Sequence, residues 1–252
     1  MENRHNLQFL KGYLSTAIIA VALIITAVIV AGAYKSKFNK PVTISVTGLA
    51  EKSFASDLIV WRGEYQRKSP DLKKAYAMIK NDETNVRQYL KSNEIEDNEI
   101  VFSSISIEKE FDIKRNEEGK QISSVFAGYK LSQTVTVEST NIDRVEVVSR
   151  EVTKLIESGI EISSLEPSYF YTKLSELKID LLAKASADAK KRAETIAVNS
   201  GGALGKILRA DMGVFQITAP NSNEDFSYGG AFNTSSKNKK ASITIRINYS
   251  IK

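Results

Sequence analysis

The chain has 252 residues, 42% of them hydrophobic, with 35 Lys and Arg against 30 Asp and Glu and a formal net charge of +5. It contains no cysteine, and its one histidine is His5 in the N-terminal tail. Disulfides, cysteine nucleophiles, Ser-His-Asp triads and Cys- or His-based zinc sites are therefore excluded from the folded part. The basic balance does not point to nucleic acid, because Lys and Arg are interleaved with Asp and Glu rather than clustered.

Residues 1–12 form a short tail, followed by an uncharged run over 13–34 flanked by Lys11 and by Lys35 and Lys37. At about 1.5 Å per residue the run reaches roughly 33 Å, enough to cross a hydrocarbon core of about 30 Å. Ala31-Gly32-Ala33 resembles a signal-peptide cleavage site, but the apolar stretch of a signal is usually only about 7–15 residues. An uncleaved transmembrane helix at 13–34 is expected, with a linker at 35–40 and a folded domain over 41–252. Arg4 and Lys11 before the span are matched by Lys35, Lys37 and Lys40 after it, so charge alone does not set the orientation.

In the domain, Pro41 opens a short strand, Val42 to Thr47, ended by Gly48. A second strand, Asp57 to Arg67, places Ile59, Trp61 and Tyr65 on one face and Arg62, Glu64 and Gln66 on the other. Ser69-Pro70 reads as an N-cap with proline at the first helical position. The helix that follows has Leu72, Ala75, Tyr76, Ile79, Val86 and Leu90 near one stripe and ends about Asn93. A strand from Glu99 to Ile113 alternates Ile105, Ile107, Phe111 and Ile113 with Ser104, Ser106, Glu108, Glu110 and Asp112, a pattern of one dry and one wet face. A polar turn, Asn116 to Gly119, leads to its hairpin partner, Ser123 to Glu138.

Thr140 with Asp143 resembles a capping box. It opens a helix that turns Val145, Val148, Val152, Leu155 and Ile156 inward and stops at Gly159. A strand from Ile160 to Tyr171 completes a β-α-β-β-α-β unit. The segments around Leu90-Lys91-Ser92 and Ile156-Glu157-Ser158 share a rhythm consistent with internal duplication. A third helix, Ser175 to Ser200, aligns Leu174, Leu177, Leu181, Ala185, Ala189, Ala193 and Ile196, and Gly201-Gly202 closes it. A strand Ile207 to Thr218, a long polar loop Pro220 to Lys240 expected to be mobile, and a last strand with Ala241, Ile243, Ile245, Ile247, Tyr249 and Ile251 on one face complete the chain. The fold class expected is α+β: an antiparallel sheet with helices packed on one face, preceded by one transmembrane helix.

Several strings resemble the SIMPL domain family over roughly Pro41 to Lys252. They are Val42-Thr43-Ile44-Ser45-Val46-Thr47-Gly48, Ser56-Asp57-Leu58, Gly128-Tyr129, and the alanine-rich run Ala183 to Glu194 continuing into Gly201-Gly202-Ala203-Leu204-Gly205-Lys206. Asp57 to Trp61, Tyr169 to Leu174 and Gly213 to Ile217 resemble a narrower subgroup. The resemblance implies an exported bacterial protein with its domain on the periplasmic side of the membrane, self-association into a homo-oligomer, and a link to envelope or oxidative stress. It implies no catalytic residues.

Candidate chemistry is sparse. Gly201 to Lys206 has the look of a phosphate loop, but three residues separate Gly201 from Gly205, the helix comes first and Ile207 follows the lysine, so a helix C-cap accounts for it better. The row Glu108, Glu110 and Asp112 could attract a hard cation, although such a row is more often simply the solvated face of a half-exposed sheet. Trp61, Tyr65, Tyr169, Phe170 and Tyr171 could form a ligand platform for a glycan or lipid fragment, against core packing as the ordinary role of strand aromatics. Lys184, Lys190, Lys191 and Arg192 could face anionic lipid or a partner subunit, though Asp188 and Glu194 are mixed among them. No catalytic, cofactor or metal residue is assigned, and a non-enzymatic membrane protein is expected.

Overall fold

The computed structural model of the protein describes residues 18–35, 42–222 and 227–252. The tail 1–12, the first residues of the expected span at 13–17, and 36–41 with Lys37, Lys40 and Pro41 lie outside the described residues. Helix α1, Ile18–Lys35, has a mean hydropathy of 2.3, and none of it is buried within the protein.

The remaining elements are β1 (Thr43–Ala55), β2 (Leu58–Ser69), α2 (Leu72–Ser92), β3 (Ile100–Phe102), β4 (Ser106–Arg115), β5 (Gln121–Ser139), α3 (Ile142–Glu151), β6 (Ile162–Ser164), β7 (Ser168–Phe170), α4 (Leu174–Asn199), β8 (Leu204–Met212), β9 (Gln216–Thr218) and β10 (Asn238–Ile251). The fold is α+β. The predicted β-α-β-β-α-β unit is one sheet in the order β3-β5-β2-β6, with β4 also on β5 and β7 also on β2. The flanking strands make a second sheet in the order β1-β10-β8, with β9 on β10. The chain gathers into two compact units. One holds the described residues up to Val46 with Lys190–Asp211 and Arg246–Lys252, and the other holds Thr47–Ala189 and Met212–Ile245.

The core of the larger unit lies between α2, α3 and the inner face of β2 and β5. Ile59, Trp61 and Tyr65 from β2 meet Leu131, Val135 and Val137 from β5 and Ala75, Ile79, Val86 and Leu90 from α2, all essentially closed to solvent. The register explains the meeting: Trp61 stands opposite Val137 and Tyr65 opposite Gln133, so alternate residues of both strands share one face. Gly63 lies between those two aromatics, where a Cβ would come 2.8 Å from the Trp61 ring.

Several element boundaries differ from the sequence expectation: β1 runs on through Gly48 to Ala55 instead of ending there, and the others differ for local reasons. The cap of α2 is Asp71, whose carboxylate accepts from the N–H of Lys73 and Lys74, while Ser69 ends β2. The cap of α3 is Asn141, which accepts from the N–H of Arg144, so Thr140 does not form the box. The strand expected over Glu99 to Ile113 is two pieces, because the Ser103 hydroxyl takes the Thr134 N–H out of the ladder. The strand expected over Ile160 to Tyr171 is divided around Pro167, which has no N–H to donate, and both pieces pair with β2.

Likewise the strand over Ile207 to Thr218 is split after Met212, where Gly213 approaches Thr244 so closely that a Cβ would sit 2.3 Å from its hydroxyl. Ile156 and Tyr76 face solvent, and in α4 the buried stripe ends on Ala197 rather than Ile196, since positions from Leu181 to Ala197 recur every four residues. Gly159, at φ +77°, closes the turn after α3 as its left-handed cap.

Candidate functional site

A buried cluster of titratable groups lies between α2 and β2. The buried stripe of α2 runs Ala75, Ile79, Asp82, Val86 and Leu90, so an aspartate stands where the helical period calls for an apolar residue. Its carboxylate receives Arg67 Nε at 2.5 Å and Nη2 at 2.8 Å, a two-pronged pair with Asp82 almost fully covered. Beside it the Tyr65 hydroxyl donates to Gln133 Oε1 at 2.7 Å, and Gln133 Nε2 donates to Glu83 and to the Ser103 carbonyl. Burial, with the negative charges of Glu83 and Asp82 behind it, pushes the Tyr65 phenol well above its ordinary range. Burial opposes ionisation of Glu83, but hydrogen bonds from Lys80 and Gln133 hold its carboxyl below the usual value.

This network is closed on itself. Every named side chain has a partner within the protein, and none of the described cavities is lined by it, so its chemistry is that of a core fastening. The sequence reading missed it. The available signal was the polar residue interrupting an otherwise regular apolar stripe.

The other candidates are dispersed. Glu108 pairs with Lys130 at 3.5 Å and Glu110 with Lys68 at 2.7 Å, so two of the three acids of the row are each met by a separate cation. Among the described residues no three His, Cys, Asp or Glu lie close enough to share a metal ion. Trp61 is fully buried, with its indole N–H on Ser164, and the Tyr169 hydroxyl donates to Glu146; neither lines a described cavity. Gly201, at φ +78°, caps α4, and the Gly202 N–H returns to Ala197, as the C-cap reading requires. Lys184 is paired with Asp180, Lys190 with Glu194, and Asp188 accepts the Leu49 N–H.

One cavity, about 380 Å³, is lined by Leu49, Val214, Gln216, Tyr228, Ser242 and Thr244 among others. Its wall is set by Gln216, whose amide donates to the Ser227 carbonyl and accepts the Ala231 N–H at 2.7 Å. The buried Lys239 ammonium donates to the carbonyls of Asn233 at 2.6 Å and Ser236 at 2.8 Å. The loop expected to be mobile is thus pinned over residues 227–239, while 223–226 lie outside the described residues. Tyr228 is the one ionisable side chain on that cavity, which therefore offers shape and hydroxyls rather than an acid–base pair.

Two surfaces remain. On the ribbon of β4 and β5, the face expected to be dry is open: Ile107, Phe111, Ile113 and Phe126 are 44–53% exposed. The period-2 assignment is correct for β4, whereas in β5 a register shift beside Gly128 sets Phe126 rather than Val125 on this face; no described element covers it. β8 ends its sheet, and Ile207, Leu208 and Met212 are exposed on it.

No curated protein matches the chain. The model of one family, SIMPL, described as a protein of unknown function (DUF541), matches residues 44–251. That match takes in the strands from β1, but for its first residue, to β10 and helices α2 to α4, with Gly48 of β1, Gly128 of β5 and the Gly201 cap inside it; the chain belongs to the SIMPL family.

Proposed function

We propose that this SIMPL domain is a non-enzymatic module of the bacterial envelope, held to the membrane by α1 with its folded part on the periplasmic side. It acts by self-association in support of stress tolerance. The observation that carries the anchor is α1 itself, an apolar helix whose large side chains are 54–66% exposed and have no described cover. The non-enzymatic reading is supported by the disposition of the carboxylates: those that lie together are committed to Arg67, Gln133, Lys68 or Lys130.

Self-association is supported by β8. Lys206 to Met212 are exposed along a terminal strand that includes Ile207 and Leu208, and an open apolar edge of this kind recruits another strand. The test is single-cysteine labelling in intact cells together with light scattering of the solubilised full chain. Labelling of an exposed Thr153→Cys by a membrane-impermeant reagent, and a particle larger than a monomer that shrinks in I207K/L208K, are expected. A label that reacts only after lysis, or a monomer at micromolar concentration, sinks the corresponding half of the proposal.

A further inference from the structure

Strand β5 pairs with β2 only as far as Tyr129, opposite Ser69; from Gln121 to Gly128 its partner is β4 alone. The chain leaves the sheet at Gly128, at φ +148°, where a Cβ would lie 2.8 Å from the Ser69 carbonyl. Beyond it stands a two-stranded ribbon, an arrangement that is marginal in water unless something covers it.

The two faces of this ribbon differ in charge and in aromatic content, although Val125, opposite Asp112, is also exposed on the acidic face. Ile107, Lys109, Phe111 and Ile113 share one face of β4, and the register sets Phe126 beside Phe111 and Tyr129 beside Lys109. The Phe111 and Phe126 rings are 5.8 Å apart and Phe126 is 5.1 Å from Tyr129, so the aromatics form a continuous strip. The half-exposed side chains present on the order of 400 Å² of apolar surface, the size of the largest apolar patch on a typical monomer, which is often a functional one. The charged residues of β4 on that face are Lys109 and Arg115. The acids Glu108, Glu110 and Asp112 lie on the other face, where Glu108 and Glu110 meet Lys130 and Lys68. In the turn beyond the strands, Glu117 and Glu118 stand with Lys120.

We propose that the apolar, cationic face of the β4–β5 ribbon docks on an anionic lipid surface, with Phe111, Phe126 and Ile113 entering the interface and Lys109 and Arg115 meeting the phosphates. The occupant must be apolar and negatively charged together, which a phosphatidylglycerol-containing bilayer is. A second copy fits less well, because apposing two such faces brings Lys109 and Arg115 against the same cations with no acid to answer them. The inference rests on the membrane-anchor reading of α1.

Because the chain lacks cysteine, single-cysteine variants of the full-length protein carry one dye each. F126C reports the docking face, D112C the opposite face and V28C the anchor. Each is reconstituted in vesicles of phosphatidylethanolamine and phosphatidylglycerol containing spin-labelled lipid, and in phosphatidylcholine vesicles for comparison. Lipid quenching at F126C is expected to exceed that at D112C by roughly twofold or more in the anionic vesicles and to fall with added salt or with K109E. I113C gives the same readout should F126C fold poorly. Quenching at V28C with none at F126C or I113C overturns the ribbon inference and leaves the anchor standing. Quenching at F126C with none at V28C overturns the anchor and keeps the ribbon. A docking-face dye shielded from water, unquenched by lipid and accompanied by a larger particle assigns the face to a second copy and overturns the proposal.

Discussion

Gly48 on β1 lies so close to α4 that a Cβ built on it would stand 2.1 Å from the Ala185 carbonyl oxygen and 2.6 Å from the Ala189 nitrogen. The obstruction is backbone, so no side-chain rotation relieves it. The alanines at 185 and 189 and the glycine facing them are one device: small residues on both elements let helix and strand approach. Substituting Gly48→Ala is expected to cost about 3 kcal/mol, near the upper end for overpacking, whereas the neighbouring exposed Thr47→Ala should shift urea unfolding little.

Arg67 and Asp82 should behave as a pair. Arg67→Met leaves a buried carboxylate without its cation, with an expected loss of about 3 kcal/mol. The double replacement R67M/D82L should recover much of that, since two well-packed apolar residues can replace a buried ion pair. A double-mutant cycle by chemical denaturation measures the coupling. Additive losses would show that the two side chains act separately.

Tyr65 gives a pH dependence with a definite sign. Its folded phenol is raised above its ordinary value near 10, principally by burial and then by Glu83 and Asp82. The folded state therefore holds the proton more tightly than the unfolded state does. The contribution is complete below the unfolded value and is lost as pH rises from there toward the folded value. Stability of the wild type should fall more steeply above pH ~10 than that of Tyr65→Phe, and parallel slopes would remove the effect.

Trp61 is the single tryptophan and is wholly enclosed. Its emission should be blue-shifted and resistant to acrylamide, and glycan or lipid fragments should leave it unchanged. Trp61→Ala is expected to cost about 4 kcal/mol. A red-shifted, readily quenched emission would return Trp61 to the surface as a ligand platform.

Lys239 holds its loop from beneath. Lys239→Met removes the donor shared by the Asn233 and Ser236 carbonyls and should open residues 227–238 to limited proteolysis, with rapid cleavage where the wild type is cut slowly. Equal cleavage rates would show that Gln216 and the backbone bonds suffice.

Much of the architecture was legible from periodicity. The alternation around Trp61 and Tyr65, the stripes on α2 and α4, and the glycines at 159 and 201 reflect local rules, in which the residue and its neighbours decide the conformation. Boundaries were less legible. Asp71 and Asn141 won their caps over Ser69 and Thr140 because the hydrogen-bonding geometry of the folded turn selects among adjacent candidates. The Arg67–Asp82 pair joins residues from a strand and a helix, and no spacing rule links them.

The sequence by itself determined that the chain carries a membrane-length apolar helix, that its body is α+β with alternating strands, and that Cys and His chemistry is excluded from the body. Those properties follow from composition and from short-range period. Only the tertiary structure decided which apolar faces are covered. The patterns of β2 and β4 look alike in sequence, yet β2 is closed by α2 and α3 while β4 has β5 alone beside it. Burial depends on which elements the topology brings opposite a face, and a strand's own alternation states only that it has two.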